Sequence, residues 1–118
     1  MANELTLSIT ALFEKGTNIN ETLSIQSLKR DVSGTRFIRN VQAVGTSEEA
    51  VVFGDTVPKY VFVRNLDSTN YVQLGATTGV YNIRLTAGDV CLFPLEGSTL
   101  FAKANTAACN IQVFAVDA

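Results

Sequence analysis

Few side chains in this sequence are suited to acid–base or nucleophilic chemistry. Its 118 residues hold eleven Asp or Glu, two Cys and no His. The missing imidazole removes the general base of Ser-His-Asp and Cys-His catalysis. It also removes the usual ligand of zinc hydrolases and of cupin-like metal sites. Paired carboxylates remain, as in glycoside hydrolysis. The candidates are Glu48, Glu49, Asp55, Asp67, Asp89 and Glu96, and each falls in or beside an expected turn. Solvated turn residues are what such positions ordinarily hold. Asp67-Ser68-Thr69-Asn70 offers oxygen atoms to a cation but lacks the dense acidic spacing of a calcium loop. Gly75 and Gly79 precede a strand pattern, whereas a phosphate cradle opens a helix. Cys91 and Cys109 lie on separate predicted strands and read as two small buried thiols. Whether they pair is left open, because a disulfide needs facing positions. No catalytic, metal-binding or cofactor-binding residue is expected, and the chain reads as a non-enzyme.

Three tyrosines raise a different chemistry. Tyr60, Tyr71 and Tyr81 each begin an apolar stretch, and rings at strand ends can serve as platforms for sugars. Against this, the chain has no Trp and only 8% aromatic residues. Packing in a core or an interface is the plainer expectation for these rings.

The elements that must position such residues are strands. Hydrophobic residues make up 47% and charged residues 17%, an ordinary composition for a folded domain. Leu5 to Phe13 alternates apolar and polar residues with period two. Leu23 to Leu28 follows, and Lys29 to Gly34 reads as a hairpin turn with charges at its tip. Arg36 to Val44 is a strand of mixed pattern, with Phe37, Arg39, Val41 and Ala43 on one face, as suits an edge or a surface covered by another subunit. Ala50 to Phe53 reads as a short strand. Tyr60 to Asn65 is apolar on both faces and therefore central, with Tyr71 to Leu74 as its expected partner across a turn at Asp67 to Asn70. Tyr81 to Leu85, Val90 to Leu95, Leu100 to Ala104 and Cys109 to Val116 complete the pattern. Eight to ten strands at this spacing describe an all-β antiparallel sandwich over residues 1–118, a single domain with jelly-roll connections. An immunoglobulin-like sandwich is the second choice. Residues 1–13 are expected to form a strand or an arm contacting a neighbour.

The formal net charge is −2, with no run of Lys or Arg. No nucleic-acid partner is expected, and no apolar window reaches membrane-helix length. The opening MANELTLSIT lacks the layout of a signal peptide, so synthesis in a cytoplasm is expected.

The segments VQAVGTSEEAVVFGD (Val41 to Asp55), YVFVRNLDSTNYVQLG (Tyr60 to Gly75), VYNIRLTAGDVCLFPL (Val80 to Leu95) and LFAKANTAACNIQV (Leu100 to Val113) come in succession. This run resembles small virion proteins of tailed bacteriophages, single jelly-roll or sandwich modules that attach to a capsid or tail. The quoted residues, notably Asn65-Leu66-Asp67, Asn70-Tyr71-Val72 and Ala87-Gly88, are turn and strand chemistry, so the resemblance transfers an architecture and a setting but no site residues. It implies a particle component made in the bacterial host cytoplasm and located in the virion. The expected role is a capsid decoration or cement protein, with a tail ring or fibre component, or a carbohydrate-binding attachment module, as alternatives. Its implied partners are the major capsid protein or tail proteins and its own copies, as a trimer or pentamer.

Overall fold

The computed structural model describes residues 4–117. They form ten strands: β1 (Leu5–Lys15), β2 (Ile19–Arg30), β3 (Phe37–Val44), β4 (Glu49–Ala50), β5 (Pro58–Asn65), β6 (Val72–Gly75), β7 (Ile83–Leu85), β8 (Val90–Pro94), β9 (Phe101–Ala104) and β10 (Cys109–Asp117). The fold is all-β, and every pairing is antiparallel. Contacts divide the chain into two compact units, Met1–Ser33 and Gly34–Ala118.

The first unit is one long hairpin. Lys15 pairs with Ile19 around Gly16-Thr17-Asn18, and Gly16 takes φ +64°, which glycine adopts at no steric cost. The strands thus continue beyond Phe13 and Leu23, the bounds read from alternation, and leave only a tight turn. Between Leu7↔Leu28 and Ile9↔Ile25 the second strand carries one extra residue. Ser27 sits there at φ +55°, and its amide donates to Ser8 Oγ at 3.2 Å. Such a bulge bends the strand and adds twist. The charged stretch after Lys29 is not a hairpin turn, since β2 and β3 belong to different sheets.

The second unit is a sandwich of two four-stranded sheets, ordered β3-β10-β5-β8 and β4-β9-β6-β7. Alternation builds it. In β10 every second residue, Cys109, Ile111, Val113 and Ala115, is buried. Val61 and Val63 of β5 and Val44 of β3 join them from the same sheet. Val72, Leu74, Leu85, Ala102 and Ala104 face them from the other, and all belong to one apolar cluster. As expected, β3 is an edge and β5 is central.

Two local expectations fail for identifiable reasons. Ala50 to Phe53 is not a strand; only Glu49–Ala50 joins the ladder. The side chain of Gln42 substitutes for a strand partner: its Nε2 donates to the Ala50 carbonyl at 3.1 Å and its Oε1 accepts from Val52 N at 2.9 Å. This releases Val51 and Phe53 into the core. Nor does Tyr71 to Leu74 pair with Tyr60 to Asn65. Both edges of β5 are taken by β10 and β8, and β6 lies in the opposite sheet. Asn65 and Asp67 convert the connection into a corner. Asn65 Oδ1 accepts from Asp67 N at 2.9 Å, and Asp67 Oδ2 accepts from Thr69 N and Asn70 N.

Candidate interaction surfaces

Four of the six carboxylates singled out from sequence, Glu48, Glu49, Asp67 and Asp89, serve as separate local braces, and Asp55 and Glu96 are exposed. Glu48 Oε1 accepts from Gly79 N at 2.7 Å and from the Tyr81 hydroxyl. Glu49 accepts from Gly45 N and from Gln42 Nε2. Asp67 ties its own turn, and Asp89 ties the turn that begins at Thr86. The Tyr81 hydroxyl lowers the pKa of Glu48, the Asn70 amide that of Asp67 and the Thr86 hydroxyl that of Asp89. A general acid for glycoside cleavage needs the opposite shift. Among the described residues no three His, Cys, Asp or Glu come together as metal ligands.

Sequence reasoning missed one carboxylate. Asp117 is buried near the end of the chain, where no pattern surrounds it. Its Oδ1 accepts from Val57 N at 2.8 Å, and its Oδ2 accepts from Arg36 N at 3.1 Å, with Arg36 Nε at 3.4 Å. The Val57 amide is the chief cause of its lowered pKa, with Arg36 adding to it. A Cβ on Gly34 would collide with the Asp117 side chain, so glycine is required there.

Both cysteines are free thiols. Cys91 pairs with Val63, which pairs with Val113, four residues beyond Cys109. The two thiols are therefore two strands and four residues apart, far beyond the roughly 7 Å Cα limit for a disulfide. Burial pushes Cys91 up to about 11 and also raises Cys109.

The three tyrosines separate into two groups. Tyr60 belongs to β5, whereas Tyr71 and Tyr81 flank β6 and β7 of the other sheet. The Arg84 guanidinium lies over the Tyr71 ring, 4.0 Å from its centre, and Lys103 Nζ lies 5.9 Å from the centre of the Tyr81 ring. Gln73 stands between Arg84 and Lys103 in the register. The flanking Leu74 and Ala102 are buried, so this polar row faces outward. Arg84, Gln73 and Lys103 carried no sequence signal of their own; only the register assembles them beside the rings.

The outward face of β3-β10-β5-β8 is of a different kind. Register sets Arg39, Phe114, Phe62 and Leu92 abreast in one row. Phe37, Val116, Tyr60 and Pro94 form the row on one side, and Val41, Gln112, Arg64 and Val90 the row on the other. Phe37 is 66% exposed, and Val41 and Val90 are each 53% exposed. The three rows thus carry four aromatic rings, two arginines and no carboxylate. The mixed alternation of Arg36 to Val44 was its one trace in the sequence.

A third surface belongs to the hairpin. Paired residues of a ladder share a face, so Leu7 and Leu28, Ile9 and Ile25, Ala11 and Leu23 lie side by side, followed by Phe13 beside Glu21. Leu23 is 71% exposed and Phe13 56%. The opposite face is largely Thr and Ser, with Thr10 Oγ1 and Ser24 Oγ bonded at 3.1 Å.

Geometry therefore defines an antiparallel β-sandwich preceded by an amphipathic hairpin, with apolar surface facing outward on each. No family model, curated protein or solved structure matches the chain.

Proposed function

We propose that the chain is a structural protein of a bacteriophage particle, a capsid decoration protein that stabilises the shell through contacts between subunits, and that its sandwich is a jelly roll. The observation that carries this reading is the outward face of β3-β10-β5-β8, where exposed Phe37, Val41 and Val90 flank half-buried Phe62, Leu92 and Phe114. Soluble monomers rarely expose a contiguous apolar face of this kind without a partner. Arg39 and Arg64 on that face, with no carboxylate beside them, fit an apolar partner surface that is neutral or acidic. The major capsid protein is the partner this role requires. The eight-strand order, in which the chain passes repeatedly from sheet to sheet, supports the jelly-roll reading. The lowered carboxylates and raised thiols support a role without chemistry.

Particles lacking the chain, mixed with purified protein, test this. The wild type is expected to sediment with capsids, and Phe37→Lys/Val41→Lys to remain in the supernatant with an unchanged melting curve. Both positions are exposed, so folding tolerates the charges. Source virions that contain none of this chain would end the reading. Sedimentation with tails alone would move the role to a tail ring or fibre. A second reading, glycan attachment, is favoured by the row of Tyr71, Arg84, Gln73 and Lys103, because it combines ring faces with hydrogen-bond donors. It requires a glycan-array signal that Tyr71→Ala weakens.

A further inference from the structure

The β1–β2 hairpin has two unmet needs at once. Its sheet has only two strands among the described residues, so one edge of each strand is unpaired. These strands are 11 and 12 residues long and contain no proline. One face is apolar from Leu7 and Leu28 to Ala11 and Leu23, with Phe13 beside Glu21 at its turn end, and is exposed along most of its length. A two-stranded hairpin is at best marginally stable alone in water. Long, flat, apolar edges pair with whatever strand is offered.

We infer that hairpins from three or four copies of this chain join edge to edge into one closed barrel, with the face of Leu7, Ile9, Phe13, Leu23 and Ile25 inside and the Thr/Ser face outside. This deepens the proposed assembly role and rests on it for its biological setting, though the association itself is a property of the purified chain. The occupant follows from three features. A second copy supplies strands of matching length and matching period-two pattern, so pairing β1 of one copy with β2 of the next keeps the Leu7, Ile9, Leu23, Ile25 and Leu28 side chains on one side. The bulge at Ser27 adds the twist and bend that closure needs.

Size excludes the simpler alternative. Eleven residues at about 3.4 Å give a face about 37 Å long, and two strands make it about 10 Å wide. Two such faces laid together cover about 700 Å², short of the roughly 1,200–2,000 Å² of a stable interface. They also leave four edges open. Closure satisfies edges and face together. Four strands enclose too little space for Leu, Ile and Phe side chains, and eight strands give an interior they just fill. Six or eight strands correspond to three or four copies.

The full-length chain is measured by analytical ultracentrifugation and by hydrogen exchange resolved to single amides. A particle of three or four protomer masses is expected, with amides protected at successive residues along β1 and β2. In an isolated hairpin, or in two hairpins packed face to face, only alternate amides are protected. Leu23→Lys/Ile25→Lys is expected to reduce the mass three- to four-fold, to a single protomer, with the melting curve of the sandwich retained. Leu12→Lys, equally open at 56% exposure but on the Thr/Ser face, is expected to leave the mass unchanged. A monomeric wild type, a dimer with alternate protection, or an oligomer that survives Leu23→Lys/Ile25→Lys would each overturn the inference. Loss of mass in Leu12→Lys would do the same. Capsid sedimentation plays no part in these readouts, so failure of the virion role leaves them intact.

Discussion

Replacing Asn65 should uncouple the two sheets of the sandwich, and the size of the effect can be worked from its bonds. Asn65 ends β5 and is fully buried. Its Nδ2 donates to the Asn70 carbonyl at 2.9 Å, the Leu85 carbonyl at 3.0 Å and, more weakly, the Thr86 carbonyl at 3.3 Å. Its Oδ1 accepts from Asp67 N at 2.9 Å. One amide thus joins the end of β5 to the end of β7 across the sandwich. In Asn65→Ala the Leu85 carbonyl loses its partner in a buried setting, which costs about 1–3 kcal/mol. The bonds to Asn70 and Asp67 are partly accessible, and water replaces them at a net loss of about 0.5–1.5 kcal/mol each. The sum is about 2–6 kcal/mol. A domain of this length has on the order of 5–12 kcal/mol in all. Urea unfolding should show it as a lowered midpoint at unchanged slope.

Asn65→Asp sharpens the test. At neutral pH it would place a carboxylate against three carbonyl oxygens, so it should be less stable than Asn65→Ala. Those oxygens raise the folded-state pKa of the new carboxyl above its unfolded value. Its stability is then greatest below the unfolded pKa and is lost as pH rises through the folded one. Acidification should therefore narrow the gap between Asn65→Asp and wild type. A loss below about 1 kcal/mol in Asn65→Ala, or an Asp variant as stable as Ala at neutral pH, would refute the clamp.

The wild-type chain should respond to acid in the opposite sense. Asp117, Asp67, Asp89 and Glu48 all have lowered folded-state pKa values. Their contribution is complete above the unfolded value, about 4, and is lost as pH falls through the folded values, so the urea midpoint should drop below about pH 4; a midpoint that rises there contradicts the assigned bonds. Gly75→Ala should cost about 1–3 kcal/mol, because its Cβ would land on the Val80 carbonyl, a backbone atom that cannot step aside. Calorimetry would show no loss if that close approach were absent. Cys91, raised to about 11 by burial, and Cys109, raised as well, should resist a disulfide reagent at pH 8 until urea unfolds the chain. Prompt modification of both native thiols would contradict their burial.

What could be read from the residues depended on whether side chains or backbone alternation set the structure. β5 and β10 were legible because alternate residues go to a packed core, and the pattern of VFV and of CNIQVFA follows directly. β3 was legible as an edge because Phe37, Arg39 and Val41 could not all be buried on one face. The end of β4 was not legible, since Gln42 replaces a strand partner with a side chain from eight to ten residues away. The partner of β6 was misread because neighbouring strands usually pair, whereas Asn65 and Asp67 turn the chain to the opposite sheet. Candidate surfaces were harder still. Phe62, Leu92 and Phe114 come from three segments, and only the register sets them in one row.

The strand edges of the two units differ in a way that bears on where the chain can join other chains. In the sandwich three of the four edge strands are short or obstructed, and β3 alone is a longer edge of eight residues. β4 has two residues and β7 three, β8 ends in Pro94, and the segment from Ala50 to Val52 is lashed to β3 by Gln42. Short edges and prolines are how sheets avoid unwanted pairing. The hairpin has none of these devices over 11 and 12 residues. The longest unpaired strand edges among the described residues are therefore those of β1 and β2. What the sandwich offers instead is a face, Phe37 to Leu92, suited to lying flat on another protein. The proposed self-association and the proposed attachment to a particle should then be lost separately: charges at Leu23 and Ile25 should abolish the first and spare the second for a single protomer, and charges at Phe37 and Val41 should do the reverse.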